Sequence, residues 1–286
     1  MSSDIITPQL DPKFYTLAEN EAAFFKAQTG IEDEATLKNH IFTIQEGSVQ
    51  GAPLSVHSPF RLCKVEDFEA TVLSTALEPR KRSQGSGLCR HWMLLKAVAD
   101  GFPVEQVIAS DLHPEFWELG HRLFKSTAET FPARFIPADI FQLKGLTKED
   151  APSSIPELFQ VQSLAELRGN ISAIHTSSFF HLFDEEGQFE IAKIMAALLS
   201  SEPGSMIFGL HGGRQEKGLR TEVGLNSGRR SPMFCHSPES WKSLWDGEIY
   251  PKGTVRVDAF LHEHDHPEMI DSGAKSYLLV WCITVL

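Results

Sequence analysis

The sequence predicts an α/β fold, a mostly parallel sheet clad in helices. Three observations carry this. From Val104 onward, short apolar runs alternate with amphipathic stretches, the pattern of strands joined by helical crossovers. Before that, residues 13–50 show helical spacing. At the C-terminal end, "TVRVDAFLHE" and "SYLLVWCITVL" are long β-rich runs, expected to pair antiparallel at one end of the sheet.

The elements follow in order. "FYTLAENEAAFFKAQ" and "DEATLKNHIFTIQEGSV" read as amphipathic helices. In the second, Leu37, Ile41, Ile44 and Val49 fall near helical spacing, and Asp33 is placed to cap, with Thr36 in the first turn. "APLSVHSPF" is a Pro-rich connector. "QVIAS" is a short apolar strand ending at Asp111. "PEFWELGHRLFKSTAETF" is a helix with Pro114 in its first turn and Phe116, Leu119 and Leu123 at core spacing. "RFIPADIF" is a strand followed by an acid, and "GLTKEDAPSSIPELFQVQSLAELRGN" a loop and helix. "ISAIHTSS" is a strand, "EEGQFEIAKIMAALLSS" a helix stopped by Pro203-Gly204, and "SMIFGLHGG" a strand ending in a glycine pair. "SPESWKSLWDGEI" opens with a capping box in which Ser240 is a weak partner for Ser237.

Composition narrows the function. The chain has 286 residues and a net charge of −12, which argues against a nucleic-acid or anionic-membrane surface. No apolar run approaches the length of a membrane span, and "MSSDIITPQLDPKF" is not a signal peptide. Cys63, Cys89, Cys235 and Cys282 form no CxxC, so reduced thiols in the cytosol are expected. Twenty phenylalanines against three tyrosines suit a cavity for a greasy small molecule as well as a core. A monomer and a homodimer are both compatible with the sequence.

In open α/β sheets, ligands bind beyond the carboxyl ends of the strands. Asp111 ends one strand and can accept both ribose hydroxyls of an adenosine, or cap the helix at Pro114. Asp139 ends the next and can hold an adenine amino group with Ile140 and Phe141 against the ring, or serve as a turn acid. Ser177 and Ser178 end a third, followed by Phe179 and Phe180, which read as core rather than cofactor wall, and His181. His211, beside Gly212-Gly213, and His181 are the candidate bases should the nucleophile need one, or else serve a core or structural role. Arg214 can pair with a substrate carboxylate or lie in a solvated loop, and His236 and Trp241 fall in a block expected to cover the substrate, Trp241 alternatively as packing. "HEHDHPE", His262 to Glu268, reads as a polar hairpin turn rather than a metal site, and no metal is expected.

The blocks "VIASDLHPEFWELGHRLF", "FIPADIF", "IHTSSFFHLFDEEGQ", "PGSMIFGLHGG" and "FCHSPESWKSLW" resemble fungal S-adenosylmethionine (SAM)-dependent methyltransferases of polyketide–terpenoid (meroterpenoid) pathways, such as those of austinol, andrastin and terretonin. The resemblance runs from about Asn39 to the C-terminus. It implies the class I methyltransferase fold, a Rossmann-like three-layer sandwich with a seven-stranded, mostly parallel sheet whose last strand is antiparallel. It implies a helical segment over residues 1–60 covering the substrate side and a SAM-dependent methyltransferase domain over 61–286. SAM is then the cofactor. Asp111 binds its ribose with Leu112 close by, Asp139 and Ile140 hold the adenine, and Ser177 to Phe180 flank the methionine. Some members methylate a carboxyl group of a hydrophobic intermediate.

One stretch departs from that pattern. Aligned back from Ala99-Asp100-Gly101, Gly87 and Cys89 take loop positions, Gly85 stands where the family has an acid, and His91 replaces the second glycine. Arg80 to Gln84 occupy the place of the apolar central strand. A sheet cannot leave that place empty without stranding backbone groups on both neighbours. Either "FEATVLST", Phe68 to Thr75, supplies the strand before a long loop, or the site is remodelled. Three functions remain open on these residues: an O-methyltransferase, a non-methylating cyclase or isomerase on the same fold, and a catalytically silent partner protein.

Overall fold

The computed structural model describes residues 17, 19–46, 72–76, 86–149, 157–220, 233–264 and 275–286. Helices α1 (Glu19–Thr29) and α2 (Glu34–Glu46) come first. Then follow β1 (Val72–Ala76), α3 (Ser86–Ala99), β2 (Val107–Asp111), α4 (Pro114–Phe124), β3 (Arg134–Pro137), β4 (Ala173–Ser177), α5 (Glu185–Leu198) and β5 (Met206–Gly213). A short pair, β6 (Gly218–Arg220) and β7 (Met233–Cys235), precedes α6 (Pro238–Trp245), β8 (Val255–His264) and β9 (Ser276–Val285).

Seven strands form one sheet in the order β3-β2-β1-β4-β5-β9-β8. The first five are mutually parallel. β9 runs antiparallel to both β5 and β8, so the last strand is the reversed one, as expected. The central place is filled from "FEATVLST": Val72 pairs with Val107 of β2 on one side and Ala173 of β4 on the other. The first of the two outcomes for this segment therefore holds. Arg80 to Gln84 lie outside the described residues, as does "DHPE" of the histidine-rich turn.

Alternate residues of each strand feed two cores on opposite faces. Ile108, Ile174, Ile207, Leu279, Trp281 and Ile283 join the core under α5 and α6. Val107, Ala109, Ala173, Phe208 and Cys282 join the core beneath α3 and α4. Helices thus cover both faces, giving three layers. Phe25, Leu37, Ile41 and Ile44 of α1 and α2 belong to the second core. Phe25 stacks on Phe124 at 5.0 Å, and His40 Nε2 meets the Leu123 carbonyl at 2.9 Å. The described N-terminal helices therefore rest on the far end of α4, not over the strand ends where a substrate would sit. They share a core with the sheet, because their apolar stripe has nothing else to bury against. Among the described residues, no helix is long and apolar enough to cross a membrane.

Local chemistry explains the element ends. Asp33 Oδ2 accepts from Thr36 N at 2.8 Å and Thr36 Oγ1 at 2.7 Å, capping α2. The Ser237–Ser240 capping box of α6 is complete, so the serine is a full partner. Two expectations change. No α-helix forms over the described residues 157–170, which make two 3-10 turns, Leu158–Gln160 and Leu164–Leu167. The segment buries Val161, Leu164 and Leu167, and Arg134 donates to the Val161 carbonyl that a helix would use internally. α5 ends at Leu198, before Pro203, because Leu199 bridges to Ile171 and Ser200 N donates to the Ile171 carbonyl.

His91 is a correction to the loop alignment. It lies within α3, 2 % exposed, with its ring against α4 where Gly120 leaves room; any side chain at 120 would strike the ring. Trp117, His121, Phe124 and Phe131 enclose it at 4.5 to 5.9 Å between ring centroids. The position is core, not cofactor loop. His91→Gly, which restores the family's glycine in sequence, should open a cavity and lower stability by about 3 kcal/mol or more. Urea unfolding should show a lower midpoint, with no gain in nucleotide affinity.

Candidate functional site

The carboxyl ends of β2, β3, β4 and β5 lie along one edge of the sheet. Asp111 closes β2, paired with Pro137 of β3, and its carbonyl accepts from Ala138 N at 3.0 Å. Asp139, two residues beyond Pro137, is therefore carried by the neighbouring strand. Each carboxylate is oriented by its own backbone two residues on. Asp111 Oδ1 accepts from His113 N at 2.9 Å, and Asp139 Oδ1 from Phe141 N at 3.0 Å. Both turns are local Asx geometry. A carboxylate accepts at about four lone-pair sites, so such a bond fixes direction and retains acceptor capacity. Asp111 is not the N-cap of α4, since that residue is His113. Asp139 does cap a 3-10 turn, Ile140–Leu143, in which Ile140 is fully buried, and Leu112 packs against the same core.

The order of strands reverses between β1 and β4, the switch point where doubly wound sheets bind ligands. Beyond β4, Ser177 Oγ is bonded to His175 Nε2 at 2.9 Å. Ser178 holds a left-handed backbone, φ 53°, and donates its N–H to the Leu210 carbonyl at 2.7 Å. A non-glycine residue held there marks a constrained edge, which sequence alone does not signal. Phe179 and Phe180 turn fully inward. Phe180 packs on Trp241 at 4.9 Å and Trp281 at 5.7 Å and offers no face to a ligand.

The two candidate bases have their lone pairs committed. His211 is 1 % exposed, and its Nδ1 accepts from Trp281 Nε1 at 2.9 Å. His181 Nδ1 accepts from Gly212 N at 3.1 Å. In a neutral imidazole the proton then sits on Nε2, so each ring is a donor there. Burial and the neighbouring His181 and His236 hold His211 well below its ordinary pKa. Burial, with Arg220 adding repulsion, lowers His181 to about 4. Engaged lone pairs and burial speak for the structural reading of both rings rather than the general-base one.

Trp241, read as substrate cover or as packing, follows the packing reading: it is fully enclosed against His211, Trp245 and Trp281. Arg214 Nη1 donates to the Leu219 carbonyl at 2.8 Å, bracing the β6 turn. His236 Nδ1 meets Ser240 Oγ at 2.9 Å and lines a cleft of about 430 Å³ with Glu185, Glu186, Phe189, Lys217, Ser240, Leu244 and Glu248. That cleft contains none of the strand-end residues. Gly87 and Cys89 lie in the first turns of α3, which starts at Ser86, so they are not in the preceding loop; Gly85 lies outside the described residues. Sequence reasoning missed Arg220. Its Nε is buried without a hydrogen-bond partner among the described residues, and its charge acts on His181. An isolated arginine in "KGLRTEV" carries no signal of this.

No family model matches the chain. Curated proteins do. O-methyltransferase phiE from a fungal species is 30% identical over 183 residues, 64% of this chain and 54% of that protein. The Asnovolin E/Chermesin D methyltransferase nvfJ of Aspergillus novofumigatus is 31% identical over 192 residues, 67% and 61% of the two chains. Methyltransferase trt5 of Aspergillus terreus is 26% identical over 212 residues, 73% and 68%. The chain is a homologue of fungal methyltransferases. This homologue spans 54% and 61% of the lengths of the first two relatives. Among solved structures, the [4+2]-cyclase SpnF overlaps it at a TM-score of 0.47 and 12% identity, over 86% of this chain and 93% of that one. The mitomycin 7-O-methyltransferase MmcR does so at 0.41 and 14%, over 76% and 49%. Likeness at this level carries no information about the reaction.

The buried histidines of the homologue predict its acid sensitivity. Burial, with Lys217 adding repulsion and Glu185 opposing it, lowers His236 to about 4; burial and His121 lower His91 to about 3. His181 is likewise at about 4, against an ordinary value of 6.5. Between those values the unfolded chain binds protons that the folded chain refuses. Stability is therefore full above pH 6.5 and falls as pH drops toward 4, by about 1.4 kcal/mol per pH unit per group. The urea midpoint should be clearly lower at pH 5 than at pH 7.5. A midpoint unchanged across that range would contradict neutral, buried rings.

Proposed function

We propose that the protein is a SAM-dependent O-methyltransferase that methylates a carboxylate of a hydrophobic fungal metabolite of the meroterpenoid kind, in the cytosol. One observation carries the cofactor assignment: Asp111 and Asp139 stand at the carboxyl ends of adjacent parallel strands, next but one to the switch point, each held in direction by its own backbone. Adjacent strands are about 4.8 Å apart and Asp139 lies two residues past the level of Asp111, so the two carboxylates address different ends of one ligand. Two acceptors suit a ribose diol and an adenine amino group, so the residues fit the cofactor.

On this reading, Asp111 accepts from the ribose hydroxyls, with Leu112 beside it. Asp139 and the turn at Ile140 hold the adenine. The constrained segment Ser177 to His181 borders the methionine half. When bound, SAM supplies an activated methyl carbon. The chain's own contribution is alignment and exclusion of water. A carboxylate nucleophile is already ionised at neutral pH and needs no base. That agrees with His181 and His211, whose lone pairs are both committed. A phenol or amine nucleophile would need a proton acceptor that neither ring provides. The resemblance to relatives named as methyltransferases supports the same reaction type.

Titration calorimetry with SAM and S-adenosylhomocysteine tests the reading. Asp111→Asn keeps an acceptor for His113 N and loses the charge. Asp111→Ala loses both. Each charge-assisted bond contributes roughly 1.5–3 kcal/mol, so Asp111→Ala should weaken binding by at least about ten-fold, and Asp111→Asn by an intermediate amount. Unchanged affinity in both variants, with the fold intact by circular dichroism, would sink the ribose assignment. Tight SAM binding with no methyl transfer to any hydrophobic carboxylic acid would sink the reaction and leave the cofactor site standing.

A further inference from the structure

We infer that Arg220 and His181 form a carboxylate-binding pair that orients the substrate beside the cofactor site. The inference rests on the methyltransferase reading for its place in the reaction, and on the structure for its chemistry.

Three elements meet at this point. Arg220 ends β6 directly across from Met233 of β7. Met233 and His181 both flank Gly212 near the end of β5: a Cβ added at Gly212 would lie 2.9 Å from Met233 Sδ and 3.8 Å from His181 Cβ. The β6–β7 pair, the turn after β4 and the carboxyl end of β5 thus converge beside the strand edge that carries Ser177 and Ser178.

Two donors are left over there. His181 spends its Nδ1 lone pair on the Gly212 amide at 3.1 Å, so its Nε2 carries a proton to give. Arg220 Nε–H is buried and has no partner among the described residues. A buried charged donor without an acceptor is a cost that nothing described offsets. Among the described residues, Glu185 on the neighbouring helix is paired with Lys217. Arg214 cannot replace Arg220, since it already braces the Leu219 carbonyl. The ring of His181 stays uncharged at neutral pH, through burial and the adjacent guanidinium. The site therefore carries one positive charge and one neutral donor.

That set matches a single carboxylate. Arginine offers Nε–H and one Nη–H side by side, at the spacing of two carboxylate oxygens. Of the roughly four lone pairs of a carboxylate, Arg220 takes one on each oxygen and His181 a third. The fourth is left for the methyl carbon. The C–O bond forms as the C–S bond breaks, its electron pair stays on sulfur, and no proton moves. A neutral alcohol would leave the guanidinium unpaired, so the pair also selects substrates by charge.

The test uses the full chain and two probes of equal length, dodecanoate and dodecan-1-ol, titrated calorimetrically with and without S-adenosylhomocysteine. Dodecanoate should bind at least about ten-fold more tightly than the alcohol. Arg220→Gln should erase that preference, and Arg220→Lys should restore part of it. Neither variant should lower the unfolding midpoint or the affinity for S-adenosylhomocysteine, since the buried Arg220 Nε–H has no partner to lose among the described residues. In the NMR titration of His181, bound dodecanoate should raise the ring's pKa above its free value. Equal binding of the two probes, or Arg220→Gln binding dodecanoate as the wild type does, would overturn the inference. The nucleotide titration is separate: its failure would refute the methyltransferase reading, while the carboxylate pair stands or falls on the two probes alone.

Discussion

The sheet depends on one pairing pattern, β1 bonded to β2 on one side and to β4 on the other. A five-residue strand, Val72–Ala76, is all that separates them. Removing it would strand backbone donors and acceptors on two neighbours at once, inside a structure where no water reaches them. The position of every strand end follows from that pairing. Asp111 stands level with Ala76, Pro137 level with Asp111, and the β4 end lies across the switch point. The site is thus a property of register: Asp111 is presented by the buried strand β2, and Asp139 by the edge strand β3.

The histidines show how burial and hydrogen bonding together decide a chemical role. A histidine at a strand end invites the role of general base. In this protein the Gly212 amide and the Trp281 indole each occupy a ring lone pair, and burial keeps the rings uncharged. What remains is a pair of neutral N–H donors with different surroundings. His211 points its free nitrogen into the aromatic core with Phe180 and Trp241, while His181 sits beside Gly212 under the influence of Arg220. The same residue type therefore serves packing in one case and ligand recognition in the other. An edge whose two candidate bases have their lone pairs engaged suits a nucleophile that arrives ionised.

The opposite face shows a substitution absorbed by packing. His91 sits where the resemblance to fungal methyltransferases calls for glycine, yet it contacts no strand end. Its ring fills the space above Gly120, inside a cage of Trp117, Phe124 and Phe131. Nothing on the β3–β2 edge depends on it directly. A glycine seen in one element and a ring in another compensate each other across two helices, which no comparison of a single loop would reveal.

The sequence by itself determined the layers, the strand–helix alternation and the reversed final strand, because hydrophobic periodicity and turn residues are local properties. It also placed Asp111 and Asp139 at successive strand ends, since an acid that follows a short apolar run can be seen without knowing what the run pairs with. It marked Asp33 as a cap for the same reason. Only the tertiary structure decided that Val72–Ala76 is the central strand, because a short β-branched run has no local mark of the neighbours it will acquire. Only the tertiary structure tied Arg214 to the Leu219 carbonyl and left the Arg220 Nε–H without a partner among the described residues. Exposure, tautomer and the satisfaction of a buried polar atom depend on groups far away in the chain, and those meet only when the sheet closes around them.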